Sequence, residues 1–244
     1  MKSWMWSALV LVITFLIMYF FDIPLWLFVI VVIPLLVIAL TYGSFSYSFR
    51  QSLRIEPIPN KGYTSRIRSL DIEKIKVDNL GFEKVDDFYL KMIPDTLIYV
   101  FKHKEEPVYL CLYHLGVKTT CDFVTRYGDG YSLTTCNNID GGMTPRPEKS
   151  LLQIITKVTY TDMFGIHMRA HNFLLHKGLR THDVAEEEFR RYFLQCLHSQ
   201  ATYVRKFMFW PILLVFWTIT KRGRVYCEEI ETQHKRGLVR LYET

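Results

Sequence analysis

Charge is nearly missing from residues 1–42, where only Lys2 and Asp22 ionise near neutral pH, although charged residues make up 22% of the whole chain. So uneven a distribution excludes a solvated globular start and points to lipid. Also missing are a glycine-rich phosphate loop, a dinucleotide fingerprint, a calcium loop and the His-Glu-x-x-His pattern, so the commonest local signatures of nucleotide, calcium and zinc-protease chemistry are absent. The five cysteines, Cys111, Cys121, Cys136, Cys196 and Cys227, are widely spaced with no Cys-x-x-Cys pair. This excludes a disulfide framework and a thiolate zinc site, and it fits a reducing compartment.

Two uncharged runs fill the N-terminal segment. Met5 to Phe21 supplies 17 residues and Leu25 to Tyr42 supplies 18. At a rise of about 1.5 Å per residue, each run with a flanking turn approaches the roughly 30 Å of a bilayer's hydrocarbon core. Asp22 and Pro24 separate them, because the prolyl ring removes a donor and biases Ile23 away from helical angles. Pro34 should bend the second run. A transmembrane hairpin, 1–42, is therefore expected; a cleaved leader lacks a small-x-small site before Asp22. Arg50, Arg54, Lys61, Arg66 and Arg68 follow the second run against the single acid Glu56, a net charge of +4. By the positive-inside tendency both termini should be cytoplasmic, in an integral membrane protein, and this segment should be drawn to anionic headgroups.

Gly43 to Gly62 reads as a polar connector, part of a basic juxtamembrane stretch, 43–68, ahead of a domain at 69–244. Ser69 can open a short helix that Gly81 ends. Five strands should follow, Phe82–Leu90, Thr96–Phe101, Val108–His114, Lys118–Tyr127 and Tyr131–Cys136, parted by turns at Pro94-Asp95, His103 to Glu106, Gly116 and Gly128-Asp129-Gly130. Such short connections require an antiparallel meander. Val158–His176 and Asp183–Ile219 read as late helices, with Asp183 and Glu186 resembling a capping box. Val225–Ile230 and Leu238–Tyr242 read as a terminal hairpin. The expected fold is α+β: an N-terminal transmembrane helical hairpin, then an antiparallel meander sheet packed with late helices. A roll of consecutive strands is the alternative.

Phe207 to Thr220 is a third uncharged run, of 14 residues, with Arg205 and Lys206 before it and Lys221, Arg222 and Arg224 after it. Its helical length of about 21 Å is short for a crossing, and Pro211 interrupts it. It reads as a helix lying in the cytoplasmic interface, with Trp210 and Trp217 near headgroups and the basic collar on phosphate. Burial inside the domain and a third crossing are the competing readings.

Candidates for chemistry are few. His167 and His171 share a helical face at i, i+4, the spacing of two metal ligands, and His114 ends a strand near Asp122. Arg169 between the first two would oppose a cation, and satisfied or surface histidines explain the pattern as well. No metal and no cofactor are expected. Arg146, between Pro145 and Pro147 in the loop Asn137–Pro147, could hold a carboxylate or phosphate, or form a structural salt bridge. The formal charge of +6 gathers beside apolar segments, so lipid contact explains it without nucleic acid.

These features predict a membrane-tethered cytoplasmic binding or scaffold protein. It would contact the bilayer and an anionic lipid headgroup through Arg50, Arg54, Trp210, Trp217, Lys221 and Arg222, with a possible protein partner. A membrane-proximal enzyme acting on a lipid or lipid-linked substrate, using the His167 and His171 face or Arg146, with His114 a further catalytic candidate, is the alternative.

Overall fold

The computed structural model describes residues 26, 30, 32–52, 54–59, 62–91, 95–142, 144–220 and 222–241. The chain divides into two compact units, Met1–Gly43 and Ser44–Thr244. The expected span at 5–21 lies outside the described residues. Within 25–42, helix α1 (Ile33–Ser52) is regular from Ile33, and Ile30 and Val32 lie in a wider π turn just before Pro34. A proline deletes an i→i−4 bond, and a local widening is one way to accommodate the loss. Among the described residues no helix is long and apolar enough to cross a membrane. The apolar part of α1 ends near Tyr42, and the helix then continues through Gly43 and several serines to Ser52. That corrects the connector expected at 43–62. Gly43 costs a helix only about 1 kcal/mol, and no proline intervenes before Pro57.

The second unit is α+β, built on a seven-stranded mixed sheet in sequential order. The strands are β1 (Ile55–Glu56), β2 (Phe82–Leu90), β3 (Thr96–His103), β4 (Tyr109–Leu115), β5 (Lys118–Arg126), β6 (Ser132–Cys136) and β7 (Ser150–Ile154). The five expected strands are present within a residue or two. Their turns carry the expected chemistry, including Asp129 and Gly130 at φ of 60° and 81° between β5 and β6. Two strands were not foreseen. Two-residue β1 pairs with the end of β2, and β7 pairs in parallel with β6. A purely antiparallel meander is thus corrected to a mixed sheet, because residues 137–149 are long enough to carry the chain back along the edge.

Helices cover both faces. On the first, α2 (Thr64–Asp78) and α3 (Tyr160–His176) pack through Leu70, Val77 and Met163 onto Leu97, Leu110, Leu112 and Phe123. Thr159 caps α3, its hydroxyl accepting from the Asp162 N–H at 3.1 Å. On the second face, α4 (Phe189–Arg205) packs through Phe189 and Tyr192 onto Phe88, Ile98, Val100 and Cys111. The long helix expected from Asp183 is divided: α4 ends at Arg205 and α5 (Trp210–Ile219) starts afresh with Pro211 in its first turn. Proline is suited to a helix start and biases the preceding residue away from helical angles, so the chain breaks there. Asp183 caps nothing and instead pairs with Lys102 at 3.2 Å. The expected terminal hairpin is a 3-10 turn at Arg222–Cys227 followed by the short α6 (Ile230–Lys235).

Candidate functional site

Alternation along β5 sends Cys121, Phe123 and Thr125 to the first face, and Asp122, Val124 and Arg126 to the second. The histidine candidates fall on the first. His167 is fully buried, with Nε2 2.9 Å from Thr125 Oγ1 and Nδ1 2.8 Å from Thr135 Oγ1. Gln153 Nε2 donates to Thr135 at 2.8 Å, extending the network to β7. His171 Nδ1 meets the Tyr127 hydroxyl at 2.8 Å. His114 accepts from Arg66 Nε at 3.1 Å, and Arg66 also binds Asp95 at 2.9 Å. Burial pushes the His167 imidazole down to about 3, and burial followed by the Arg66 charge lowers His114. These rings are core donors and acceptors already in use. His114 and Asp122, which could have met across β4 and β5, lie on opposite faces, since Asp122 pairs with Cys111 and His114 with Thr119. Among the described residues no three His, Cys, Asp or Glu side chains are placed to hold a metal ion.

The second face is different. Between the sheet and α4 lies a cavity of about 280 Å³, lined at one end by Leu90, Ile98, Leu115, Phe193 and Leu197 and at the other by Asp122, Ser132, Thr134, Arg146 and Tyr192. A wider vestibule of about 540 Å³ shares Ser132, Tyr192 and Cys196 with it and adds Arg126 and Lys149.

Arg146 reaches the cavity because its loop is held from several sides. Its N–H donates to the Tyr226 hydroxyl at 3.1 Å, and Gln200 of α4 donates to the Pro145 carbonyl at 2.7 Å. Trp217 Nε1 donates to the Gly142 carbonyl at 2.9 Å. The same loop lies backbone to backbone against the 3-10 turn: a Cβ on Gly223 would sit 2.1 Å from Gly142 O, so only glycine fits there.

The guanidinium is only partly used. Nη2 donates to the Gly141 carbonyl at 3.3 Å, while Nε is buried with no partner. Tyr192 Oη lies near Ser132 and Cys196 without closing a hydrogen bond of normal geometry. Burial pushes the Asp122 carboxyl up to about 6, against the opposing pull of Arg146 and a hydrogen bond from Tyr113. Cys196 is exposed at the cavity's edge, and desolvation by the atoms around it raises its thiol. No family model, curated protein or solved structure matches this chain. The reading of the site therefore rests on its geometry.

The second candidate region is α5. Trp210 and Leu214 pack with Val204, and Trp217 is anchored on Gly142. The two tryptophans expected near headgroups are thus turned inward. The outward face presents Met208 (83% exposed), Phe209 (61%), Ile212 (49%), Phe216 (46%) and Ile219 (72%) instead. Arg205, Lys206, Arg222 and Arg224 are exposed around it, with Arg222 Cζ 5.1 Å from the Phe216 ring centroid. Arg54 is exposed just beyond α1, whereas Lys221 and the side chain of Arg50 lie outside the described residues.

Proposed function

We propose that this chain is a membrane-tethered binding protein whose cytoplasmic domain rests on an anionic bilayer. One observation carries the reading: the turn before α5 exposes Met208 and Phe209, and α5 exposes Ile212, Phe216 and Ile219 at i, i+4 and i+7, flanked by Arg205, Lys206, Arg222 and Arg224. Apolar side chains rimmed by cations match the order of groups met on entering an anionic leaflet, phosphate first and acyl chain beneath. Each basic residue near such a surface contributes on the order of 1 kcal/mol, screened by salt, while the apolar side chains add a term that salt leaves intact. The tether is supported by the two uncharged runs and by α1, where Ile33, Leu35, Val37 and Leu40 are all more than 40% exposed.

The test uses the full chain in nanodiscs. With Cys196→Ser and Cys227→Ser as background, Ile219→Cys is labelled with an environment-sensitive fluorophore. In discs containing phosphatidylserine the label is expected to be quenched by nitroxide-bearing acyl chains and shielded from aqueous iodide. Phosphatidylcholine discs should weaken that shielding. Full iodide access in both lipids, with the fold intact, would sink the lipid-contact reading.

A membrane-proximal enzyme is a second reading, favoured by one observation, the buried Asp122 carboxyl facing a cavity. The histidines, bonded within the core, do not contribute to it.

A further inference from the structure

The cavity under α4 has a polarity gradient that follows the strand order. Its lining from β2, β3 and the end of β4 is mostly apolar, with Leu90, Ile98 and Leu115 beside Thr96 and Tyr113, and that from β5, β6 and β7 is mostly polar, with Asp122, Thr134 and Ser150 beside Val124. At the polar end the buried Arg146 Nε–H has no acceptor, and the Tyr192 Oη–H, near Ser132 and Cys196, makes no hydrogen bond of normal geometry. An orphaned buried donor costs about 1–3 kcal/mol, and more for a charged group, so two in one cavity mark a missing acceptor. Beyond that end lies the vestibule with Arg126 and Lys149.

We propose that this cavity binds a small monocarboxylate with an unbranched apolar body, its carboxylate accepting from Arg146 Nε and its chain running towards Leu90 and Ile98. The volume of about 280 Å³ holds on the order of ten non-hydrogen atoms at roughly 30 Å³ each, the size of octanoate. While Asp122 is in its acid form, a neutral ligand of the same shape would leave the Arg146 charge without a counter-charge. A phosphate dianion would bring a second negative charge towards Asp122, whereas a single carboxylate can accept a hydrogen bond from that group in its acid form. The vestibule, with Arg126 and Lys149 against the single acid Glu148, carries a small positive excess that draws an anion towards the mouth, and the polar-to-apolar order seats it chain-first.

Asp122 makes the site sensitive to pH. It is faced by Cys111 and Tyr113 from β4, Cys136 from β6, Arg146 from the β6–β7 connection and Cys196 from α4. Only Arg146 among these is charged at neutral pH. As pH rises through the region of 6 the carboxyl ionises and repels the bound carboxylate.

The experiment is calorimetric titration of sodium octanoate into the full chain in phosphatidylcholine nanodiscs, with empty discs as the blank. Saturable one-to-one binding is expected, about fourfold weaker for each methylene removed down to butanoate. Octan-1-ol and octylamine should bind at least tenfold more weakly than octanoate, and octyl phosphate no more tightly. Raising the pH from 5.5 to 7.5 should weaken octanoate by about tenfold or more, and Asp122→Asn should remove that dependence. Arg146→Gln should cost at least tenfold, with circular dichroism unchanged. Leu197→Trp, which fills the apolar end and leaves Arg146 in place, should lose octanoate more than butanoate. No binding above the blank to folded protein, equal affinity for octan-1-ol, tighter binding of octylamine or octyl phosphate, or indifference to both substitutions would each overturn the assignment.

Discussion

One strand contributes to two unlike surroundings. On the first face of the sheet, under α2 and α3, Thr125 of β5 joins His167, Thr135 and Gln153 in a network whose members are all paired. On the second, Asp122 and the Arg146 and Tyr192 side chains surround a cavity that a single helix roofs over, and two donors there have no partner. Titratable groups alone therefore do not mark a site. A histidine buried and bonded on both ring nitrogens, as His167 is, specifies packing, whereas an arginine and a carboxyl that share unfilled space retain chemical capacity.

The two faces should respond to pH with opposite signs, and this gives the largest expected effect. His167 titrates near 3 in the folded chain against about 6.5 in an unfolded one, so the unfolded state binds more protons between those values. Stability should thus fall as pH drops from about 6.5 towards 3, by on the order of 5 kcal/mol for this one group. Pulse proteolysis of the full chain in nanodiscs, run in urea at several pH values, would measure it. An acid limb no steeper than that of His167→Gln would break the contrast.

Asp122 supplies the opposite slope. Its folded-state value of about 6 lies above the unfolded one near 3.9, so the folded chain binds more protons and this group's contribution falls as pH rises from about 4 to 6. Asp122→Asn should therefore stabilise the protein by about 3 kcal/mol at pH 7 and hardly at all at pH 4, by the same proteolysis assay. A loss of stability at pH 7 would mean that the carboxylate is serving as a structural acceptor.

A pair of identical substitutions gives the smallest but most direct comparison. Tyr127→Phe on the first face removes a hydroxyl bonded to His171 at 2.8 Å and should cost about 1–2 kcal/mol. Tyr192→Phe on the second removes a hydroxyl with no partner and should stay within about 0.5 kcal/mol of the parent, or exceed it. Equal losses would show that the cavity's polar groups are as fully committed as those of the core.

Much of the local architecture was legible from the residues. The five strands from Phe82 to Cys136 follow from apolar alternation and turn chemistry at Gly116 and Gly128-Asp129-Gly130, and helix Tyr160–His176 falls within the expected Val158–His176. All of these act over a few neighbours, which is why sequence reports them. The parallel β7 escaped notice because Ser150–Ile154 carries no alternation, and its pairing is made to β6 across thirteen intervening residues, 137–149. Helix α5 was legible as apolar with a basic collar, but not its orientation. Its inward face is chosen by the Gly142 carbonyl that receives Trp217, a contact between residues 75 positions apart.

The two uncharged N-terminal runs, the basic collars and the arginine between prolines are properties of the sequence by itself, because hydropathy, charge and backbone stiffness are set residue by residue. Which arginine or histidine keeps a free hydrogen bond was decided only by tertiary structure. Strand parity sent His114 and Asp122 to opposite faces, and α3 closed over His167 while α4 left space beside Arg146. Satisfaction of a buried polar group depends on atoms brought together from distant parts of the chain, so no local pattern could have distinguished the spent histidines from the unspent arginine.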